Sequence, residues 1–155
     1  MVTESKQRPG EVLGAISNLV VGVYANCLGR GPTRARSYMD DDVILCLLED
    51  TLTKPERQLK ASGRDVRLLE LGATLQETME EALTTGMESL LGRRVNAVIS
   101  GRQLDPDVAS EVFILGERIP DAQADLVPQQ FLPAEAVEKG NGGKLETQPD
   151  PRLAT

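Results

Sequence analysis

Residues 28–49 run Leu28-Gly29-Arg30-Gly31-Pro32-Thr33-Arg34-Ala35-Arg36-Ser37-Tyr38-Met39-Asp40-Asp41-Asp42-Val43-Ile44-Leu45-Cys46-Leu47-Leu48-Glu49. Gly29 can take the left-handed conformation that ends a helix, and Pro32 cannot continue one. Two β-prone runs, residues 33–39 and 43–49, then flank the acidic triplet Asp40-Asp41-Asp42, the pattern of a short β-hairpin. The second run is apolar at each of its first six positions, which predicts a strand that is central or covered on both faces.

On the N-terminal side, residues 11–28 read as an amphipathic helix, with Val12, Ile16, Leu19, Val23 and Cys27 on one face. On the C-terminal side, Thr53-Lys54-Pro55-Glu56 opens a short helix. Thr53 is the N-cap, Pro55 lies in the first turn, and Glu56 completes a capping box. That helix should stop near Ser62-Gly63. A longer one follows over about residues 64–91 and ends at Gly92, with Leu68, Leu75, Met79, Ala82 and Leu90 as its buried stripe. Its length, about 40 Å, is large for so small a domain. Gly72 and Gly86 inside it each cost about 1 kcal/mol relative to alanine, so they mark a bend or a close helix or sheet contact. Residues 93–101 read as a strand with Val95, Ala97 and Ile99 alternating. Asp105-Pro106-Asp107 makes a turn or a short helical start, and residues 111–117 form the last strand.

The two halves echo one another. Leu28-Gly29-Arg30 is followed 63 positions later by Leu91-Gly92-Arg93, and Asp40-Asp41-Asp42 is followed 65 positions later by Asp105-Pro106-Asp107. Each half reads helix, Leu-Gly-Arg, strand, acidic turn, strand. Either the chain carries an α-β-β internal duplication, or two common punctuation signals coincide. The expected fold is α+β. It is a two-layer sandwich with a four-stranded, mostly antiparallel sheet and a long helix and shorter helices on one face.

Composition limits the function. Hydrophobic residues make up 40% of the 155 and aromatics only 3%, so the core is aliphatic, with Tyr24, Tyr38 and Phe113 as its large rings. A formal charge of −7 repels phosphate backbones, and the scarcity of aromatic rings leaves few base-stacking platforms, so no nucleic-acid partner is expected. Cys27 and Cys46 each sit among apolar neighbours and read as reduced core thiols. The N-terminus has no apolar signal region, and the longest apolar runs fall short of a bilayer span. A cytoplasmic protein without direct membrane insertion is expected. The domain is placed at residues 9–118, after a flexible N-terminus of residues 1–8. From residue 119 to 155 prolines and glycines accumulate, with six acidic residues against three basic ones, and the tail reads as disordered and acidic.

The chain has no histidine, which removes the commonest general base and metal ligand. No catalytic residue, metal site or cofactor is assigned, and the chain is expected not to be an enzyme. Asp40-Asp41-Asp42 offers oxygen ligands for Ca²⁺ or Mg²⁺ but lacks the spacing of a calcium loop, and a solvated turn is the simpler reading. The segment with Arg30, Gly31, Arg34 and Arg36 is the most distinctive. It suggests an anion or nucleotide cradle, with Arg93 joining if the two halves bring their arginines to one side of the sheet. It also follows a helix, where Arg30 and Arg93 serve simply as partners of the negative helix end. The glutamates of the long helix, Glu70, Glu77, Glu80, Glu81 and Glu88, read as a solvated face or as a partner surface or dimer seam.

Gly29-Arg30-Gly31-Pro32, Leu48-Glu49, Leu52-Thr53 with Glu56 and Leu59, Leu91-Gly92-Arg93 with Val95, and Glu111-Val112-Phe113-Ile114-Leu115 resemble, in this order over residues 9–117, the MpsC-like domain family. The resemblance implies a small bacterial protein associated with a sodium-translocating, membrane-potential-generating system linked to cation and bicarbonate transport. It marks Gly29, Arg30, Gly31 and Pro32 as a family motif of unassigned role. The expected function is a non-enzymatic accessory or regulatory protein whose partner is a membrane-transporter subunit or a signalling protein, with self-association into a homodimer. A small-anion or nucleotide sensor built on the Gly-Arg-Gly-Pro segment is the alternative, and a carboxylate-based hydrolase or transferase is a third class.

Overall fold

The computed structural model describes residues 9–120, and the expectations for residues 1–8 and for the tail beyond Pro120 lie outside the described residues. The elements run α1 (Pro9–Leu28), β1 (Arg34–Asp40), β2 (Val43–Glu49), α2 (Lys54–Ala61), α3 (Asp65–Leu91), β3 (Arg93–Gln103) and β4 (Val108–Arg118). The strands form one antiparallel sheet in the order β1-β2-β4-β3. Helices α1 and α3 cover one side of it. The α+β two-layer sandwich expected from the sequence is the fold observed.

Local chemistry explains the boundaries. Gly29 and Gly92 both have left-handed backbones, φ 76° and 64°, and their N–H groups close α1 and α3 onto Ala25 O and Glu88 O at 2.9 and 2.8 Å. Thr53 caps α2 in a complete capping box with Glu56. Strand β4 begins at Val108 rather than at residue 111, because its ladder with β3 continues to Val108↔Gln103 at the turn.

The core is an aliphatic slab. Ile44, Cys46 and Leu48 of β2 and Ala109, Phe113 and Leu115 of β4 face Val12, Ile16, Val20 and Tyr24 of α1 and Met79, Leu83, Met87 and Leu91 of α3. Leu52, Leu68 and Leu104 form a smaller cluster apart from it. Several expected faces shift. On α1 the buried positions are Val12, Ile16, Val20 and Tyr24, spaced every four residues. Leu19 and Val23 are half-buried, and Cys27 is exposed rather than a core thiol. On α3, Gly72, Gln76, Leu83, Met87 and Leu91 join Leu68 and Met79, while Ala82 is exposed. The β3–β4 register shifts between Val95 and Ala97, so Val95 pairs with Leu115 and Val98 with Phe113 on the helix side. Ala97 and Ile99 therefore turn to the other side, and Ile99 is 59% exposed.

The two glycines inside α3 are contact points. A Cβ on Gly86 would lie 2.5 Å from a Leu19 methyl of α1, and one on Gly72 would lie 2.6 Å from Arg102 Nη1 of β3. Helix α1, contrary to the expectation from its apolar runs, is long and apolar enough to cross a membrane by length and composition. Small residues and few charges between Val12 and Leu28 make it so. In the fold, Val12, Ile16, Val20 and Tyr24 are buried against the sheet.

The sequence echo has a structural counterpart. Cys46 of β2 pairs with Glu111 of β4, 65 positions apart, at the middle of the central strand pair. At one end of that pair Leu115 N–H donates to Asp42 O at 2.7 Å. At the other, Asp50 N–H donates to Asp107 O at 3.2 Å. Adding 65 to Asp50 and Asp42 gives Leu115 and Asp107, so the two closures exchange under an approximate two-fold axis passing between Cys46 and Glu111. The halves are not identical: β3 and β4 have 11 residues each against 7 in β1 and β2, and α2 has no counterpart among the described residues.

Candidate functional site

Each arginine singled out in the sequence is engaged by a carboxylate. Arg30 donates to Asp50 through Nη2 at 2.9 Å and to Leu52 O at 2.5 Å, and Arg57 also reaches Asp50. Asp50 has a positive φ of 59°, a conformation that Asp tolerates better than most side chains. The hydrogen bond from Arg30 holds the Asp50 carboxyl below the ordinary aspartate range and the Arg30 guanidinium above its own. Arg34 and Arg36 lie on β1 and both pair with Glu49, at 3.7 and 3.2 Å. Gly31 packs closely on α1, where an added Cβ would be 3.1 Å from Val21. Pro32 is half-buried and Gly29 is the helix cap.

Arg93 is almost wholly buried. Its Nη2 donates to Asp42 at 2.6 Å and to Gly116 O at 3.0 Å, and Nε donates to Gly116 O at 3.1 Å. Arg30 therefore sits beyond the C-terminal end of β2 and Arg93 beside its N-terminal end, with about 20 Å of strand between. The convergence of these two arginines on one anion, expected if the halves were symmetric, does not occur. A two-fold axis through the middle of an antiparallel pair sends equivalent residues to opposite ends of the strands.

The chemistry hidden in the sequence lies under the helices. One cross-sheet row on the inner face is polar on all four strands: half-buried Ser37 of β1, buried Cys46 of β2 and Glu111 of β4, and exposed Ser100 of the edge strand β3. Glu111 has no exposed surface. Its Oε1 accepts from Tyr24 at 2.6 Å and from Gln76 Nε2 at 3.4 Å, and its Oε2 accepts from Ser100. Gln76 also donates to Gly101 O at 3.3 Å. At the other end of the row, Ser37 lies 3.4 Å from the Cys46 sulfur and 2.7 Å from Ser17 of α1. Burial raises the Glu111 pKa, against the opposing pull of its hydrogen bonds from Ser100, Tyr24 and Gln76. Burial and then the neighbouring carboxylate push the Tyr24 hydroxyl up, and burial pushes the Cys46 thiol up to about 11. Tyr24 and Cys46 stay neutral at ordinary pH, and no reactive thiolate forms there.

Beside this row, Arg102 crosses α3 in the notch left by Gly72 and pairs with Glu56 at 3.1 Å, with side chains only 8% and 4% exposed. Its Nε and Nη2 have no hydrogen-bond partner among the described residues. Arg102 also lines a cavity of about 10 Å³, together with Tyr24, Gln76 and Met79, the scale of one water molecule. Among the described residues no group of three or more His, Cys, Asp or Glu is placed to hold a metal ion.

The accessible surface of the sheet is its other face. Across β1-β2-β4-β3 the outward rows read Asp40–Val43–Ile114–Ala97, Tyr38–Leu45–Val112–Ile99, Arg36–Leu47–Ser110–Gly101 and Arg34–Glu49–Val108–Gln103. Tyr38, expected in the core, is 47% exposed there, and Val43 is 42% exposed. The apolar character of β2 on both sides, legible in the sequence, thus serves the core on one side and an open apolar surface on the other.

Sequence reading placed Tyr24 in the core, where it lies, but missed its bond to Glu111 and the buried groups Gln76, Arg102 and Glu111, and saw Glu56 only as a cap. One signal was available for Glu111. It occupies the inward position of the alternation Ala109, Glu111, Phe113, Leu115, which is visible only once the strand is begun at Val108. The family model described as Na+-translocating membrane potential-generating system (MpsC) matches residues 9–117, nearly the whole of the described fold. No curated protein and no solved structure matches the chain. The chain belongs to the MpsC family.

Proposed function

We propose that this chain is a non-enzymatic accessory or regulatory component of a sodium-translocating, membrane-potential-generating system, acting from the cytoplasm by docking on a protein partner. The observation that carries this reading is the extent of the family match. It runs from the start of α1 to the penultimate residue of β4, so what the family shares is the whole sandwich rather than a local motif. The surface chemistry agrees with a docking role. Arg30, Arg34, Arg36 and Arg93 are engaged by carboxylates of the same chain, whereas Val66, Leu69 and Leu71 in the first turns of α3 remain exposed. A small-anion sensor using Arg30 or Arg93 would have to displace Asp50 or Asp42 first.

The test is in the cell. A tagged full-length chain, crosslinked in vivo, should be recovered with identified subunits of a cation-translocating membrane complex, and its deletion should weaken the sodium-dependent membrane potential. A deletion strain with unchanged sodium-dependent potential, and no membrane subunit on the tagged chain, would overturn the reading.

A further inference from the structure

We propose that two copies of the chain pack face to face through the open side of the sheet, related by a two-fold axis lying across the strands. The inference is independent of the sodium-system reading. Helices α1 and α3 cover only one side of the sheet. On the other side Tyr38, Leu45, Val112 and Ile99 form an unbroken apolar row across all four strands, with Val43, Ile114 and Ala97 beside it and Leu47 and Val108 on its other flank. With Tyr38, Val43 and Ile99 between about two-fifths and three-fifths exposed, this is a continuous patch and not scattered surface residues.

The occupant is argued from charge and shape. Four strands about 4.8 Å apart and about seven residues long give roughly 450 Å² of projected face per copy. Two copies approach the roughly 1,000 Å² of a specific interface before the pleat adds area. Strand β1 carries Arg34 and Arg36 at one end of this face and Asp40 at the other. A second copy turned about an axis across the strands lays its β1 antiparallel over the first. Arg34 and Arg36, which share Glu49 of their own chain, then meet the partner as well: Arg34 faces the partner's Asp40, and Arg36 lies over the partner's Tyr38 ring, where a guanidinium is attracted to the aromatic face. In the same superposition Leu45 meets the partner's Leu47, and the protruding Ile99 lies over the partner's Gly101, where there is no side chain. Sheets packed in this way form the aligned sandwich common to all-β proteins, with about 10 Å between the layers.

The test uses the full-length chain in sedimentation equilibrium over a concentration series. The wild type should dimerise, and Ile99→Lys, at a position already largely exposed, should raise the dissociation constant at least about tenfold while circular dichroism and melting cooperativity persist. Arg34→Asp alone and Asp40→Arg alone should each weaken the dimer, and the two together in one chain should restore it. A chain that stays monomeric at several hundred micromolar would overturn the proposal. A dimer indifferent to Ile99→Lys, as edge-to-edge strand pairing would give, would overturn it as well.

Discussion

The hydroxyl of Tyr24 donates a 2.6 Å hydrogen bond to Glu111 Oε1, tying α1 to the centre of the sheet through a carboxyl group with no exposed surface. Gln76 of α3 reaches the same oxygen, and Ser100 of β3 donates to the other. Helices α1 and α3 and both strands of the second hairpin therefore meet at one buried acid. Partly satisfied buried networks cost stability, whereas fully bonded ones favour a unique packing.

Removing the Tyr24 hydroxyl should be expensive for its size. Tyr24→Phe keeps the ring but leaves Glu111 with one donor fewer, and a loss of about 1–3 kcal/mol is expected in urea unfolding. A loss below about 0.3 kcal/mol would mean that the bond adds nothing net.

The raised pKa of Glu111 has a defined pH signature. Below about pH 4 both the native and the unfolded chain hold the proton, so burial of this group carries no ionisation penalty. Above that the unfolded chain releases its proton first, and stability falls with rising pH until the raised native pKa is passed. Glu111→Gln should therefore gain melting temperature relative to the wild type as pH rises from 4 through this window, and the difference should then level off. A difference independent of pH would show that Glu111 titrates normally in the native state.

Gly86 is a point of close contact between α1 and α3. Gly86→Ala should destabilise the fold by about 1–3 kcal/mol, despite alanine's better helix propensity, because its Cβ meets the Leu19 methyl groups. The clash disappears in Gly86→Ala with Leu19→Ala, so the double-mutant cycle should show a favourable coupling of at least about 0.5 kcal/mol. Additive effects would place the cost of Gly86→Ala elsewhere.

The two thiols should differ sharply in reactivity. Cys27 is exposed, whereas Cys46 is buried with its pKa pushed up to about 11. A disulfide reagent at pH 8 should label one thiol of the native chain quickly and the second only on unfolding. Cys27→Ser should abolish the fast phase. Two fast thiols would contradict the burial of Cys46.

Much of the fold was legible in sequence because its signals are local. Gly29 and Gly92 ended their helices where the left-handed cap was expected, the Thr53–Glu56 capping box opened α2, and Asp40-Asp41-Asp42 turned the first hairpin. The 65-residue echo of acidic turns was also there to be read. Two features were not. The register shift between Val95 and Ala97 reverses which residues face the helices, and an extra residue in one strand leaves no mark in a run of apolar side chains. The network around Glu111 was equally hidden, since Gln76, Ser100 and Glu111 read as ordinary surface residues and Tyr24 as a plain core ring until four separate elements bring them together. Helix and strand periodicity, caps and turns are dictated within a few residues of chain, so the sequence by itself determined the elements and their α+β class. Tertiary packing decided that Arg30 and Arg93 stand at opposite ends of the sheet, that Glu111 lies in the core and that Tyr38 lies outside it. Those outcomes depend on contacts between separate elements, up to the 87 positions between Tyr24 and Glu111, where the antiparallel pairing of β2 with β4 sets the geometry.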